Sequence, residues 1–181
     1  MLYITIPAFE YYDEEKQEFN TVKEWKIQLE HSLVSISKWE SKWRKAFLGR
    51  QEKTLEESLD YIRCMTITQN VDSRTYYGLT KDNIEEINNY ISEPMTSVHF
   101  NDKDAGVGKE VITSEVIYYW MITLNIPFEC QKWHLNRLLA LIRVINIKNT
   151  PSKKRKMSDS EIMKRNSEIN ESRKKKLNTN G

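Results

Sequence analysis

The side chains best suited to metal or nucleophilic chemistry in this sequence are two cysteines and three histidines. Cys130 and His134 are four positions apart, which places both on one face of a helix. A tetrahedral zinc site needs further ligands, so Cys64 and either His31 or His99 would have to come from distant segments. Buried thiols and a hydrogen-bonded imidazole are therefore the favoured interpretation. We expect no metal and no cofactor.

The glycines near position 106 have part of a phosphate-loop pattern, in the segment Gly106–Lys109. The first glycine of such a loop is replaced by Lys103, and Glu110 stands where a magnesium-binding Ser or Thr is required. A calcium loop starting at Asp102 would have its glycine at the fifth position and Thr113 at the twelfth, where that loop needs a sixth-position glycine and a glutamate. The segment is predicted to be an ordinary loop. Since no catalytic set remains, we expect a protein that is not an enzyme.

Three large aromatic residues follow one another at four-residue spacing: Trp39, Trp43 and Phe47. One helical face would carry all three, and such stripes usually fill a core. Basic residues occupy the positions between them, so the tryptophans could instead stack on nucleobases beside phosphate-binding cations. A third interpretation leaves part of the stripe exposed as an anchor for another protein. The core interpretation is favoured, and the interleaved cations are Lys38, Lys42, Arg44 and Lys45.

The charge of the chain is divided unevenly. Residues 151–181 contain ten Lys/Arg and four Asp/Glu, a net charge of +6, whereas residues 1–150 contain 18 and 22, a net charge of −4. We predict a folded domain over 1–150 and a basic, flexible tail over 151–181 with a short helix from Ser158 to about Lys174. The tail could bind an anionic partner or simply maintain solubility. Its basic clusters, candidates for partner binding, are Lys153, Lys154, Arg155, Lys156, Arg173, Lys174, Lys175 and Lys176.

The apolar patterning predicts a small antiparallel β element followed by helices. Tyr3–Ile6 and Val22–Leu29 have strand-like composition or alternation, and the polar segment between them suits an extended, hairpin-like connection. Helices are expected over 33–49, from Thr54 in a capping box, from about Thr80 to Pro94, over 114–125 and from Pro127 to Ile145.

The apolar patterning also predicts which residues of these helices are buried. The stripes Leu55, Leu59, Ile62, Met65 and Ile84, Ile87, Ile91 are expected to be buried. The helix over 114–125 is apolar all round and should be central. The paired carboxylates Glu56-Glu57 and Glu85-Glu86 are expected on solvated helix surfaces.

Length and composition favour a globular protein. The chain has 181 residues, of which 39% are apolar and 30% charged, enough for one ordinary domain. The longest apolar run has seven residues, far short of a membrane span, and the first residues do not have the pattern of a secretory signal. With only two cysteines, a reducing cytoplasm is the expected location and no membrane partner is expected. The predicted fold class is mainly α (α+β), a compact helical body with a small N-terminal antiparallel β element.

At the helical regions the chain resembles the tail assembly chaperone-like proteins of long-tailed bacteriophages. The segments that carry the resemblance are residues 29–40, 115–121 and 125–130, together with the basic ending from Lys153 to Gly181. Ala46 departs from the family pattern, which would have a proline there. The resemblance implies a non-enzymatic protein of the host cytoplasm. Such a protein binds and solubilises the tape measure protein and helps to recruit tail tube subunits.

Two further interpretations come from the charge distribution. The acidic body and basic tail could associate between copies of the chain, which predicts salt-sensitive self-association. The alternative function is that of a nucleic-acid-binding protein, which would use the basic tail and the Trp/Lys-bearing helix.

Overall fold

The fold is mainly α with a small N-terminal β element, which confirms the predicted fold class. The computed structural model describes residues 1–14, 17–99, 111–150 and 159–177. The chain divides into two compact units, Met1–Ile147 and Lys148–Gly181. Among the described residues, no helix combines the length and the apolar character required to cross a bilayer.

Four strands form two antiparallel pairs at the start of the chain. β1 (Leu2–Ile6) pairs with β4 (Trp25–Leu29), and β2 (Phe9–Asp13) pairs with β3 (Glu18–Val22). Ile4 lies opposite Ile27, so the buried faces of β1 and β4 coincide. The antiparallel element and the alternation through Trp25, Ile27 and Leu29 are thus confirmed, but the strand predicted over 22–29 begins only at Trp25, because Val22 belongs to β3.

The helices follow the strands, and the N-termini of the first three have capping boxes. Ser32, Thr54 and Thr80 each accept a hydrogen bond from the backbone N–H three positions later, and the side chain at that position bonds back. The predicted capping box at Thr54 is confirmed. The helices are α1 (Leu33–Trp43), α2 (Leu55–Met65), α3 (Lys81–Ser92), α4 (Ser114–Thr123), α5 (Leu135–Asn149) and α6 (Asp159–Leu177), with 3₁₀ segments at Ser73–Gly78 and Phe128–Lys132.

The first helix ends six residues before the predicted stop at Gly49. Arg44 adopts a left-handed conformation, with φ of 56°, and its N–H donates to the Glu40 carbonyl at 2.8 Å. This C-cap geometry closes the helix without a glycine. Phe47 therefore lies beyond α1, yet its side chain still reaches the core.

The predicted helix from Pro127 to Ile145 is divided in the structure. A 3₁₀ segment comes first, and α5 begins only at Leu135. The reason is a long-range backbone pairing, since Ser32 and His134 form an antiparallel bridge and Leu135 N–H donates to the His31 carbonyl at 2.7 Å. An extended backbone at this bridge is incompatible with a continuous helix.

One apolar core joins the β1–β4 pair to the helices before α6. Its fully buried members include Trp39 from α1, Met65 from α2, Ile117 from α4 and Leu138 from α5. Ile62 and Ile87 are buried as expected, but the stripe prediction is wrong at Leu55 and Ile84, which are 73% and 38% exposed.

The prediction that the helix over 114–125 is central is also wrong. Ile117 and Met121 of α4 pack inward, whereas Tyr119 and Ile122 are 64% and 60% exposed. An apolar helix can thus cover one side of a core and still present apolar groups outward. We call these exposed side chains the outer face of α4.

A buried carboxylate joins α1 to the start of α4. Thr113, the N-cap of α4, supplies no side-chain hydrogen bond to the helix. Glu40 takes its place, because its Oε2 accepts the Ser114 N–H at 2.8 Å while its Oε1 accepts the Phe47 N–H at 2.8 Å. The carboxylate therefore binds the buried N-terminus of α4 and the turn after α1 at once.

Candidate partner-binding groove

A groove of about 570 Å³ lies between α2, α3 and the turn that follows α1. We call it the α2–α3 groove. Its walls are mostly apolar, with the short polar side chains of Ser58 and Asn88 among them. Its deep side is formed by the buried residues Phe47, Tyr61, Ile62 and Ile87, and its rim by Leu48, Leu55, Leu59, Ile84 and Ile91.

The rim of the groove exposes apolar area that the described part of the chain leaves uncovered. Leu55 is 73% exposed, Leu48 39% and Ile84 38%. Two neighbouring amphipathic helices normally bury such residues against each other or against a third element. The α2–α3 groove therefore has the form of a site that a further apolar segment could fill.

One cation borders this apolar surface. The Lys53 Nζ lies 4.3 Å from the centroid of the Phe47 ring and 5.9 Å from that of Trp39. Burial lowers the pKa of Lys53, and the nearby Glu57 carboxylate opposes that shift. The ammonium group of Lys53 thus makes a cation–π contact with Phe47 at the aromatic end of the groove.

The acidic residues of α2 that face α1 hold the two helices together. Glu57 is 1% exposed, so the expectation that it lies on a solvated surface is wrong. Its carboxylate forms an ion pair with Lys45 and accepts the Thr54 N–H at 2.9 Å. The hydrogen bond from Lys45, the largest cause, and that from Thr54 lower the pKa of Glu57.

Asp60 makes the second set of contacts with α1. Lys42 Nζ lies 2.6 Å from Asp60 Oδ1, and the Trp43 Nε1–H donates to Asp60 Oδ2 at 2.8 Å. Two of the four interleaved cations that the sequence offered for phosphate binding, Lys42 and Lys45, are therefore paired with carboxylates of α2. This pairing disfavours a nucleic-acid surface on α1.

The three aromatic candidates for partner binding have different environments. Trp39 is 1% exposed and donates from Nε1 to the Glu57 carbonyl at 2.8 Å, so it belongs to the core. Trp43 is half-buried, and its ring stacks against Trp39. Phe47 is 9% exposed and lines the α2–α3 groove. The favoured core interpretation thus describes Trp39 and Phe47, and only Phe47 contributes to a candidate binding surface.

The basic candidates fall into two groups. Arg173, Lys174, Lys175 and Lys176 are exposed in the last turns of α6, where cations complement the helix dipole. The cluster of Lys153, Lys154, Arg155 and Lys156 lies outside the described residues, as do Ser158 and the loop segment Asp102–Lys109.

His31 and His134 form a buried cluster with Tyr61 and Tyr90, whereas His99 is exposed. His31 Nδ1 lies 2.5 Å from the Tyr61 hydroxyl, and the His31 and His134 ring centroids are 5.1 Å apart. His134 Nε2 lies 3.0 Å from the Tyr90 carbonyl oxygen. Burial, followed by the charge of His134, lowers the pKa of His31 to about 3.

These contacts explain the histidines as structural groups. Cys130 is also buried, and the described ranges contain no group of three or more His, Cys, Asp or Glu residues placed to hold a metal ion.

No family model, curated protein or solved structure matches this chain.

Sequence reasoning missed the groove residues Leu48 and Lys53 and placed Leu55 and Ile84 in the core. Each of these helices has one ordinary apolar stripe, so the sequence contains no signal that part of it stays exposed.

Proposed function

We propose that this chain is a tail assembly chaperone-like protein of a long-tailed bacteriophage. In this proposal it works in the host cytoplasm, binds and solubilises the tape measure protein and helps to recruit tail tube subunits, without catalysis. The observation that carries the proposal is the α2–α3 groove, an open apolar channel in the folded body.

The groove suits an amphipathic helix as its ligand. Helix-in-groove recognition uses apolar side chains at positions i, i+3 or i+4, and i+7 of the ligand. Each fully buried Leu or Ile contributes about 1.5–3 kcal/mol, so a few such anchors give modest affinity to one site. A long helical partner that offers many equivalent segments would bind many copies, and the number of contacts would compensate for the weakness of each.

The experiment is co-expression with apolar helical fragments of the tape measure protein, with the soluble fraction of each fragment as the readout. Leu55→Asp and Ile84→Asp place a charge on the groove rim at exposed positions, so the fold should tolerate them. Both variants should lose the ability to keep fragments soluble. Ile122→Asp on the outer face of α4 and Phe19→Asp on β3, at sites 60% and 75% exposed, are matched controls and should retain it.

The outcomes separate the possible surfaces. If the unmodified chain leaves every fragment insoluble, the proposed function is wrong. If Ile122→Asp abolishes solubilisation and Ile84→Asp does not, the outer face of α4 binds the partner and the groove does not.

The basic end of α6 favours nucleic-acid binding as a second candidate function. Four consecutive cations, Arg173 to Lys176, are exposed there and would contact phosphates without sequence preference. The test is binding to unrelated DNA and RNA at physiological salt, with the full chain and with a variant carrying glutamine at these four positions. Salt-sensitive binding that the variant loses would support this function, and absence of binding by the full chain would exclude it.

A further inference from the structure

We propose that a cleft beside the β2–β3 hairpin binds a small aromatic carboxylate. The cleft has a volume of about 320 Å³ and is lined by residues of the hairpin, by Lys23 and Trp25, and by Asp72 and Arg74. We call it the hairpin cleft. It shares no lining residue with the α2–α3 groove, so the inference does not rest on the proposed function.

The register of the hairpin places two polar side chains on the side of the cleft. Tyr11 of β2 and Asn20 of β3 lie directly opposite each other, so their side chains share one face of the strand pair. Both residues are partly buried and line the cleft. Tyr12 and Phe19, the next opposed pair, belong to the other face and are 50% and 75% exposed.

One arginine connects the two sides of the hairpin cleft. Arg74 donates from Nη1 to the Tyr11 hydroxyl at 2.6 Å and from Nη2 to Asp72 Oδ2 at 2.7 Å. Asp72 Oδ1 also accepts the backbone N–H of Arg74 at 2.9 Å. The hydrogen bonds from the Arg74 side chain, the largest cause, and from its backbone lower the pKa of Asp72 to about 2. Asp72 is therefore ionised, and its charge and its acceptor positions are satisfied by Arg74.

The polar groups that remain for a ligand are hydrogen-bond donors. The Tyr11 oxygen accepts from Arg74, so the hydroxyl proton can be donated to a ligand. The Asn20 Nδ2 group is shielded from solvent and has no hydrogen-bond partner among the described residues. Buried donors of native proteins are normally satisfied, so this amide indicates a group that the protein itself does not supply.

The charge of the hairpin cleft selects the kind of acceptor. Within the described ranges, Lys23 has no ion-pair partner, whereas Asp72 and Arg74 neutralise each other. One uncompensated positive charge matches a monoanion such as a carboxylate. A doubly charged phosphate ester would bring a second negative charge close to Asp72, which disfavours it.

An aromatic surface adjoins this charge. The Lys23 Nζ lies 5.7 Å from the centroid of the Trp25 ring, and Trp25 is a half-buried residue of the cleft wall. A carboxylate bound to Lys23 would bring the rest of its molecule against the indole, where a planar ring packs well. A cavity of about 150 Å³ already accommodates benzene, so the hairpin cleft has room for benzoate.

The test is titration of the full chain with benzoate, followed by calorimetry and by NMR of the side-chain amide and indole N–H signals. We expect a Kd of about 0.1–1 mM, with shifts of the Asn20 amide and Trp25 indole signals. Acetate lacks the ring and benzyl alcohol lacks the charge, so each should bind at least about tenfold more weakly.

Two substitutions each remove one feature of the hairpin cleft. Lys23→Gln removes the charge at an exposed position and should weaken benzoate binding about tenfold without changing the melting temperature. Asn20→Asp keeps the size of the side chain but replaces the donor by a carboxylate that repels the ligand, so binding should be lost. Lys26→Gln on β4 and Asn89→Asp on α3, at exposed sites outside the cleft, are matched controls and should bind like the unmodified chain.

Four results would overturn the inference: no binding of benzoate to the full chain; undiminished binding to Lys23→Gln; equal affinity for benzoate and benzyl alcohol; or NMR shifts confined to residues outside the cleft. Circular dichroism shows whether Asn20→Asp is folded, and Lys23→Gln decides the question if it is not. Neither variant should change the solubilisation of tape measure fragments, so this inference and the proposed function can fail separately.

Discussion

Replacing Glu40 by glutamine tests a buried carboxylate that joins two elements of the fold. The Glu40 carboxylate accepts hydrogen bonds from the backbone N–H groups of Phe47 and Ser114, each at 2.8 Å. The residue Glu40 is 7% exposed. Glutamine preserves the shape but has one acceptor oxygen, so its amide NH₂ must face one of the two N–H donors. The variant therefore loses one charge-assisted hydrogen bond and leaves a buried donor unsatisfied.

The expected cost follows from these two losses. A hydrogen bond to a charged group contributes about 1.5–3 kcal/mol, and the carboxylate also stabilises the N-terminus of α4. We expect Glu40→Gln to lower the free energy of unfolding by about 2–3 kcal/mol. For a folded unit of this size the melting temperature should fall by about 5–10 °C.

Urea unfolding monitored by circular dichroism measures this change, and the m-value should stay constant. Amide hydrogen exchange should accelerate specifically at Phe47 and Ser114. Glu85→Gln, at an exposed site on α3, is the matched control and should change stability by less than about 0.5 kcal/mol. If Glu40→Gln is as stable as the control, or exchange at the two amides does not change, the carboxylate does not cap α4 as argued.

Three other perturbations have defined outcomes. Burial lowers the pKa of His31 from 6.5 to about 3, so between these pH values the unfolded chain binds more protons than the folded chain. The free energy of unfolding should therefore fall as the pH drops below 6.5, by at most about 1.4 kcal/mol per pH unit. His31→Gln should flatten this part of the pH profile, and an unchanged profile would show that His31 does not cause the loss of stability. Gly78→Ala places a Cβ 2.5 Å from the Phe9 ring, so it should destabilise the fold by about 1–3 kcal/mol in urea unfolding, and a neutral result would show that the ring moves freely. Leu55→Ser should change the free energy of unfolding by less than about 0.5 kcal/mol, because Leu55 is 73% exposed. Ile62→Ala, at a buried position of the same helix, should lower it by about 2–5 kcal/mol. Equal effects in urea unfolding would mean that another part of the protein covers the rim of the groove.

Local rules predicted the elements whose causes are local. The capping box at Thr54 correctly placed the start of α2, and the composition of Tyr3–Ile6 correctly indicated a strand. The start of α5 could not be predicted in this way, because a bridge to Ser32 determines it. The end of α1 depends likewise on Arg44 adopting a conformation unusual for its residue type.

The candidate site depends even more on contacts between distant segments, which the sequence alone does not reveal. An acidic residue in the first turn of a helix is usually solvated, and the burial of Glu57 is compensated by Lys45 from the preceding segment together with the Thr54 N–H. Periodicity can show that α2 and α3 each have an apolar stripe, but it cannot show which residues of that stripe another element covers. The groove results from the packing of α2 against α3, and the sequence indicated only the apolar residues that line it.

The bridge between Ser32 and His134 also bears on how the chain folds. It joins positions about one hundred residues apart, and long loops close slowly because closure costs entropy before the contact can form. During synthesis, the strands, α1 and α2 leave the ribosome well before the segment that completes the core. Their apolar sides are then temporarily uncovered, so this stage is the one at which the nascent protein is most open to aggregation and to rescue by molecular chaperones.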